Sequence, residues 1–453
     1  MTAEIGAPRG EDVLMGHAEA ALRGLGGRGD VFIVSRLGEY TRFAGTRVHQ
    51  PQAVDELQLM ARRISDRGVA RAATSLLSAS EWAGREAAAS ASQVHIGSGP
   101  ALELPGHEPQ DDDAPRLWHE SSLGFDAGER GRIAGLAITR AQRLGASAHG
   151  MLSLVVTELA VANSEGARRY ACATEVYYSL LVRRGHGSGY RSDLGRDFAR
   201  LRPEVALDEA IHDAVASENP EPLPPGSYDV VLGPLAVGDM LGFFGSIGFT
   251  GEALVQGAGA VARHRGRRAA DGRISVADDA SADIGLPIPF DLEGVSKQRV
   301  VMLDHGVVAN AVTDLATAAR LDQGSTGHAH IGREQPPAPT PANLVLAAGS
   351  EPQAALIAGV ERGILISRFH YTRMIDPEST AFTGVTRDSC FRISEGRVGG
   401  PVTQSRFSEE ILPVLSRCDG VGDVLVSQPI MNVWNGVASA PALRVRDFHL
   451  GFR

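Results

Sequence analysis

Residues 227–251 read SYDVVLGPLAVGDMLGFFGSIGFTG, a short apolar run that breaks at Gly-Pro and continues as a longer apolar segment. The first run predicts a strand over residues 229–232. After the break, apolar side chains recur mostly at three- and four-residue spacing, at Leu235, Val237, Met240, Leu241, Phe244 and Ile247, which predicts a buried helix. Enzymes often place their chemistry on a strand–turn–helix unit of this kind. This helix carries one acid, Asp239, and no His, Cys, Lys or Arg.

The length and composition of the chain predict more than one domain. A chain of 453 residues is too long for a single hydrophobic core. The 53 glycines and 24 prolines predict many turns and therefore a β-rich part. The net charge is −10 without long acidic runs, so nothing supports a nucleic-acid partner. Lys297 is the only lysine, which we interpret as codon bias and not as a sign of an arginine-rich binding surface.

The cysteines and the apolar runs indicate a cytoplasmic protein. Cys172, Cys390 and Cys418 have no paired spacing, so neither a disulfide framework nor a Cys-x-x-Cys zinc site is predicted. No run of 18 apolar residues is present, so no membrane span is predicted. The first residues lack the apolar core of a signal peptide.

The N-terminal domain, residues 1–222, is predicted to mix helices and strands. Apolar periodicity predicts helices over residues 11–23, 55–64, 80–91, 127–144 and 203–217, with Ser80 and Asp126 as N-caps. Strands are predicted over residues 30–34, 40–44, 46–50, 68–75, 151–161 and 168–182. The sequence NSEG at residues 163–166 predicts a hairpin turn between the last two strands. The Pro-rich residues 219–226 predict a linker after this domain.

The C-terminal domain, residues 227–453, is predicted to be β-rich, which makes the fold class α+β. After the helix near residue 240, short apolar runs separated by Gly and Pro predict strands over residues 285–290, 298–303, 306–309, 343–348, 363–369, 390–393, 424–426 and 442–448. In the preceding domain, three adjacent acids at residues 111–113 lie on a Pro-rich stretch, and we interpret them as solvated side chains and not as a metal site.

Several short segments form an ordered set along nearly the whole chain. They are residues 40–50 (YTRFAGTRVHQ), 163–166 (NSEG), 229–234 (DVVLGP) with the helix that follows, 290–295 (FDLEGV), 325–329 (STGHA), 363–368 (GILISR), 384–388 (GVTRD), 396–398 (GRV) and 401–402 (PV). As a set, they resemble the TldD/PmbA (TldE) family of metallopeptidase-related proteins. The resemblance implies a mixed α/β N-terminal domain followed by a β-rich C-terminal domain.

The resemblance also implies where the chemistry of the family lies and that this chain lacks it. The family's catalytic branch carries His-Glu-x-x-x-His on the helix described above, and a cysteine near the C-terminus completes a zinc site. The Glu takes a proton from the metal-bound water. Here the corresponding stretch, roughly residues 238–244, reads GDMLGFF, and residues 426–430 read VSQPI without a thiol. On this reading the chain is similar to the non-catalytic, TldE-like branch.

Six residues are candidates for the wall of a peptide-binding or partner-facing cavity: Phe243, Phe244, Ser246, His328, His330 and His370. No catalytic residue and no metal ligand is predicted. A metal site built from His305, His328 and His330 is a minor alternative, because residues two apart point to the same side of a strand. Ser246 lacks the Gly-x-Ser-x-Gly context of a serine nucleophile.

Three functional hypotheses follow from these residues and from the resemblance. The first is a non-catalytic TldE-like subunit that pairs with a TldD-like catalytic subunit, which supplies the zinc, and helps to enclose an extended peptide. The second is a diverged enzyme that uses other residues of the same cavity, namely His328, His330, His370 and Asp376. The third is a homodimer that binds extended peptides by strand addition.

Overall fold

The N-terminal half of the chain is one antiparallel sheet with helices on one face. The computed structural model describes residues 7–66, 68–93, 102–108, 114–330, 337–430 and 436–451. The strands of this N-terminal sheet have the order β3-β2-β1-β4-β5-β6. They are β1 (Gly29–Gly45), β2 (Arg47–Ser65), β3 (Gly68–Thr74), β4 (Ser147–Asn163), β5 (Arg168–Arg184) and β6 (Gly187–Gly195). The helices are α1 (Glu11–Leu25), α2 (Ser80–Ser90), α3 (Ala127–Arg143) and α4 (Pro203–Ala216).

Alternation along β1 decides what each face of this sheet contacts. Val31 and Ile33 point to the face covered by α1 and α2 and are buried there. Phe32 and Val34 point to the opposite face, where they pack against Phe290 from the C-terminal half. The C-terminal half therefore covers the sheet face that the helices leave open.

The C-terminal half contains two larger sheets. The β13 sheet has the order β10-β9-β8-β13-β20-β19, and the β14 sheet has the order β16-β15-β14-β7-β21-β18, with β17 also paired to β15. The elements are β7 (Gly226–Leu232), α5 (Pro234–Gly248), α6 (Gly251–Val255), α7 (Gly259–His264), β8 (Val276–Asp278), β9 (Val300–Asp304), β10 (Val307–Val308), α8 (Leu315–Arg320), β11 (Ala329–His330), β12 (Ala338–Pro339), β13 (Asn343–Leu346), α9 (Gln353–Ala358), β14 (Arg362–Asp376), β15 (Ala381–Ser394), β16 (Arg397–Pro401), β17 (Arg406–Glu410), α10 (Ile411–Ser416), β18 (Cys418–Val421), β19 (Val426–Pro429), β20 (Val437–Ala440) and β21 (Leu443–Leu450).

Helix α5 lies in the core of the C-terminal half. It contacts β14 and β7 of the β14 sheet and β13, β19 and β20 of the β13 sheet. Val237, Met240, Leu241 and Phe244 are fully buried in this core. The predicted strand and buried helix of residues 227–251 are therefore confirmed, and the α+β fold class is confirmed as well.

Two further local predictions are confirmed by their hydrogen bonds. Asp126 caps α3, since its Oδ1 accepts the Glu129 N–H at 2.8 Å. The hairpin between β4 and β5 turns at residues 163–166, where Asn163 Oδ1 accepts the N–H groups of Glu165 and Ala167, both at 2.9 Å.

Four local predictions were wrong. The two strands predicted over residues 30–34 and 40–44 are one continuous strand, β1. Residues 55–64, predicted as a helix, are the second part of β2 and pair with both β1 and β3. Ser80 is not an N-cap, because the preceding residue Ala79 takes that position and the Ser80 hydroxyl donates to the Leu77 carbonyl oxygen. Residues 285–290 contain two prolines and form a loop with one isolated bridge, from Phe290 to Ser296.

Residues 111–113 lie outside the described residues. None of the described helices is long and apolar enough to cross a bilayer.

A buried ion triad joins the two halves. The Arg62 guanidinium donates two hydrogen bonds to the Asp30 carboxylate, both of 2.7 Å, and one to Glu293 Oε1 at 2.8 Å. All three residues are at most 3% exposed. Burial opposes the charge on Arg62, but the two carboxylates outweigh it and raise the pKa of the guanidinium. The second oxygen of Glu293 accepts the Leu315 N–H at 2.7 Å, so the triad also fixes the start of α8.

We expect Arg62→Leu to lower the free energy of unfolding by about 3–5 kcal/mol, because it leaves two buried carboxylates without a cation. Urea denaturation followed by circular dichroism measures this change. Arg63→Leu is the matched control, since Arg63 is the next residue of β2. Among the described residues its side chain makes one long hydrogen bond, of 3.4 Å, to the Arg28 carbonyl oxygen. Equal destabilisation by both substitutions would contradict the role given to the triad.

Candidate functional site

Helix α5 and strand β19 meet where the resemblance predicts the functional positions of the family. A Cβ atom at Gly238 would lie 2.6 Å from Gln428 Nε2. That amide donates to the Leu235 carbonyl oxygen at 2.9 Å. One turn along the helix, a Cβ atom at Gly242 would lie 3.2 Å from the Ile430 side chain. The two glycines therefore let residues 428–430 lie directly on the helix, and Gln428 occupies the space beside residue 238.

Asp239 lies next to this contact and lines a cavity of about 240 Å³. The cavity is formed by side chains from β5, β6, α5, β14 and β19. Its polar wall contains Tyr190, Ser192, Asp239, Arg368, His370, Thr372, Arg373 and Gln428. Both halves of the chain contribute to this wall.

The Asp239 carboxylate is half-buried and weakly paired. Its Oδ2 accepts a long hydrogen bond of 3.4 Å from the Thr372 hydroxyl. Burial raises the pKa of Asp239 to about 6, although Arg368 opposes the shift. The Arg368 guanidinium is bound elsewhere, since it donates to Asp388 Oδ2 at 2.6 Å and lies 3.9 Å from the centre of the Tyr190 ring. Asp239 is therefore a single acid with a raised pKa, and within the described residues its side chain makes only the long hydrogen bond with the Thr372 hydroxyl.

A zinc ion does not fit the residues around Asp239. Zinc in proteins takes three or four ligands from His nitrogen, Cys sulfur and carboxylate oxygen. Position 238 is a glycine, and residues 426–430 carry no thiol. Within the residues that the structure describes, no group of three or more His, Cys, Asp or Glu side chains is placed to hold a metal ion.

The candidates on helix α5 lie at different depths. Phe244 is fully buried and packs on Phe249, with ring centres 4.4 Å apart. It therefore packs in the core of the C-terminal half. Phe243 is half-buried against the same core, and Ser246 is half-buried.

His328 is a structural residue in a buried ion pair. Its side chain is fully buried, with Nε2 3.0 Å from Asp278 Oδ1 and Nδ1 3.0 Å from the Thr326 hydroxyl. Asp278 Oδ2 accepts the backbone N–H groups of Ala342 and Asn343, at 2.6 and 2.8 Å. Burial opposes ionisation of Asp278, but His328 outweighs it and holds the pKa of this carboxyl well below its usual range.

The other predicted polar residues lie at separate places. His370 is exposed on β14 and lines the Asp239 cavity. His330 lines a different cavity, described below. Asp376 holds a turn at the end of β14, where it accepts the Ser379 hydroxyl at 2.6 Å. The four residues of the diverged-enzyme hypothesis, including His328, are therefore not brought together into one site.

A second cavity, of about 90 Å³, lies between the N-terminal sheet and loops of the C-terminal half. Arg36 of β1, Glu175 of β5, Lys297 and His330 are among its lining residues. Sequence reasoning singled out only His330 as a candidate here. The available signal was the alternation along β1 and β5, which turns the charged Arg36 and Glu175 inward together with apolar neighbours.

Comparisons with known proteins agree on one family. A family model described as the PmbA/TldA metallopeptidase C-terminal domain matches residues 225–451. A protein of Methanothermobacter thermautotrophicus named metalloprotease is 25% identical over 293 residues, which are 61% of this chain and 64% of that protein. A Synechocystis protein named metalloprotease is 25% identical over 170 residues, 36% of each chain. The chain therefore spans less than two thirds of the length of these relatives.

The fold is also similar to a solved structure. The crystal structure of TldE from Thermococcus kodakarensis superposes with a TM-score of 0.83 at 18% sequence identity. The superposition covers 97% of this chain and 100% of that chain. At this level of identity, the similarity establishes the fold.

We expect Asp239→Asn to stabilise the protein above about pH 6 and to change little below about pH 4. The folded-state pKa of Asp239 is about 6, above that of an unfolded Asp, so the folded wild type loses stability as the pH rises through this window. At pH 7.5 the free energy of unfolding of the variant should exceed that of the wild type by about 2–3 kcal/mol. Urea denaturation at several pH values measures the difference.

Asp376→Asn is the control for this prediction, with the opposite sign. Hydrogen bonds from Ser379 lower the pKa of Asp376, so its contribution to stability is present at neutral pH and is lost in acid. Asp376→Asn should therefore destabilise the protein near pH 7. A pH-independent effect of Asp239→Asn would show that its carboxyl titrates like an exposed one.

Proposed function

Because the chain belongs to the PmbA/TldD family of metallopeptidase-related proteins, we propose that it is a TldE-like, non-catalytic subunit of a cytoplasmic zinc metallopeptidase complex. In this proposal a TldD-like partner holds the zinc ion and performs the cleavage. The present chain helps to enclose the substrate, which is an extended peptide or a peptide-linked precursor.

The proposal rests mainly on the contact between helix α5 and strand β19. A hydrolytic zinc site needs three protein ligands and a base that takes the proton from the bound water. This contact instead joins Gly238 and Gly242 to Gln428 and Ile430. Asp239 is the one acid of the helix, and a single carboxylate does not provide the ligand set.

An exposed apolar stretch of β14 supports the role of a partner subunit. Tyr371, at the rim of the Asp239 cavity, is 67% exposed, and Ile375 on the same strand is 55% exposed. Large apolar side chains left in water beside a cavity are typical of interaction surfaces. In this proposal the TldD-like subunit covers this stretch, and the cavity then faces the shared interior.

An unpaired strand edge favours peptide binding by a homodimer as a second candidate. Strand β3 pairs with β2 only over residues 59–65 of β2. Within the described residues, no strand pairs with the outer edge of residues 47–58. An edge of this length offers backbone donors and acceptors to an extended peptide or to a second copy of the chain.

Purification of the chain alone and together with a co-expressed TldD-like protein of the same organism tests the proposal. We expect the chain alone to hold far less than one zinc ion and to cleave no peptide. The co-expressed pair should form a heterodimer with about one zinc ion, located in the partner. Light scattering, atomic absorption and cleavage of a peptide mixture measure the three properties.

Substitutions in the exposed stretch of β14 sharpen this test. Tyr371→Asp and Ile375→Asp should weaken the heterodimer by about tenfold or more, because they place a charge in an apolar contact. Leu76→Asp is the matched control, since Leu76 is 61% exposed on the N-terminal half and should leave the affinity unchanged. Stoichiometric zinc or peptide cleavage by the chain alone would reject the proposal. A peptide-binding homodimer that ignores the TldD-like protein would favour the second candidate.

A further inference from the structure

The cavity between the two halves of the chain contains the only lysine of the sequence. The N-terminal sheet supplies Val34, Arg36 and Glu175 to its wall, and loops of the C-terminal half supply Phe290 and Lys297. The cavity is separate from the Asp239 cavity, because the two share no lining residue. The metallopeptidase proposal gives it no role.

The Lys297 ammonium has no partner within the described residues. Its backbone N–H donates to the Pro289 carbonyl oxygen at 2.9 Å, which fixes the loop, but its side chain makes no hydrogen bond or ion pair there. The two acids that attract it are bound elsewhere. Asp278 pairs with His328. Asp291 accepts three backbone N–H groups, at 2.8 to 3.0 Å.

Glu175 lies on the same wall, and among the described residues one of its carboxylate oxygens lacks a hydrogen-bond partner. It is 2% exposed, and its Oε1 has no hydrogen-bond partner. The nearest guanidinium nitrogen, Arg36 Nη2, is 4.0 Å away. Burial raises the pKa of Glu175 to about 7, and burial together with Glu293 raises that of Asp291 to about 8. Near neutral pH these carboxyl groups therefore hold part of their protons. Burial lowers the pKa of the Lys297 ammonium, and Asp278 and Asp291 oppose this shift.

Thr157 and His330 also line the cavity, and the rest of its wall is mostly apolar. Leu159, Leu286, Ile288, Phe290 and Leu292 surround the polar groups. A volume of about 90 Å³ holds roughly six non-hydrogen atoms at ~15 Å³ each. A ligand that fits therefore combines one anionic group with a short apolar body, as is usual for mostly apolar cavities with few polar anchors.

We propose that this cavity binds a small carboxylate with a short aliphatic body and that the ligand carboxylate pairs with the Lys297 ammonium. The protonated Glu175 carboxyl donates a second hydrogen bond to it, and the leucine and phenylalanine side chains enclose the aliphatic part. A free branched-chain acid and the C-terminal residue of a peptide ending in valine offer the same groups. Isobutyrate represents the first source, and N-acetylglycylvaline represents the second.

The single lysine makes the test direct. In protein labelled with [¹³C]lysine, only Lys297 gives side-chain signals, so a titration can be followed at one Cε resonance. We expect isobutyrate or N-acetylglycylvaline to shift this resonance in a saturable manner. Isobutyramide, which has the same shape as isobutyrate without the charge, should not shift it.

Substitutions measured by calorimetry identify the group that binds. Lys297→Met should weaken binding by about tenfold or more, and Lys297→Arg should largely retain it. Arg299→Met is the matched control, because Arg299 is an exposed neighbour paired with Asp279 and should bind as the wild type does. The urea midpoint of each variant establishes that it folds.

Each outcome decides the proposal. A saturable shift with a carboxylate and not with the amide, lost in Lys297→Met, supports it, and the probe that binds identifies the source. Absence of any shift up to about 20 mM ligand overturns it, since binding weaker than that is below the range of a built site. Equal shifts with isobutyrate and isobutyramide also overturn it, because the charge then plays no part.

Discussion

The contact between the two halves of the chain depends on the Arg62 guanidinium, which binds Asp30 of the N-terminal half and Glu293 of the C-terminal half. Removing three charges from water is expensive, and only short, well-aligned hydrogen bonds of the kind seen here offset that cost. The Glu293 carboxylate belongs to a loop that packs on the N-terminal sheet through Phe290 and Leu292. The same loop contains Asp291, which lines the cavity that contains Lys297. Separation of the halves would therefore open both the ion triad and the cavity.

Helix α5 is held by apolar packing between two sheets and by a close contact with β19. Its apolar side chains are buried between two sheets, which stabilises the C-terminal half through burial alone. Glycines at 238 and 242 allow β19 and the residue after it to approach closely, and the Gln428 amide donates to the Leu235 carbonyl oxygen. Helix α5 and strand β19 therefore pack directly on each other at the positions where the resemblance implies a metal site in the family's catalytic branch.

The sequence predicted the strand–helix unit and one hairpin well, but it divided each of the long strands β1 and β2 into two elements. The strand and helix of residues 227–251 follow from hydrophobic spacing, and the hairpin at residues 163–166 follows from the side chain of Asn163. Residues 55–64 were misassigned because Leu57, Met60, Ala61 and Ile64 match a helical spacing. Pairing with strands on both sides overrides that local pattern, and such pairing is set by residues far away in the chain. The cavity that contains Lys297 was not predicted for the same reason, because its lining residues come from β1, β5 and distant loops.

The path of the chain through the β14 sheet has a consequence for protein synthesis. Strand β7 lies between β14 and β21, and β21 is the last strand of the described chain. During translation, β7 and the uncharged face of α5 leave the ribosome long before β21 is made. Until then, β7 has at most β14 beside it, and its other edge is exposed to non-native association. The β14 sheet can therefore be completed only after β21 has emerged from the ribosome.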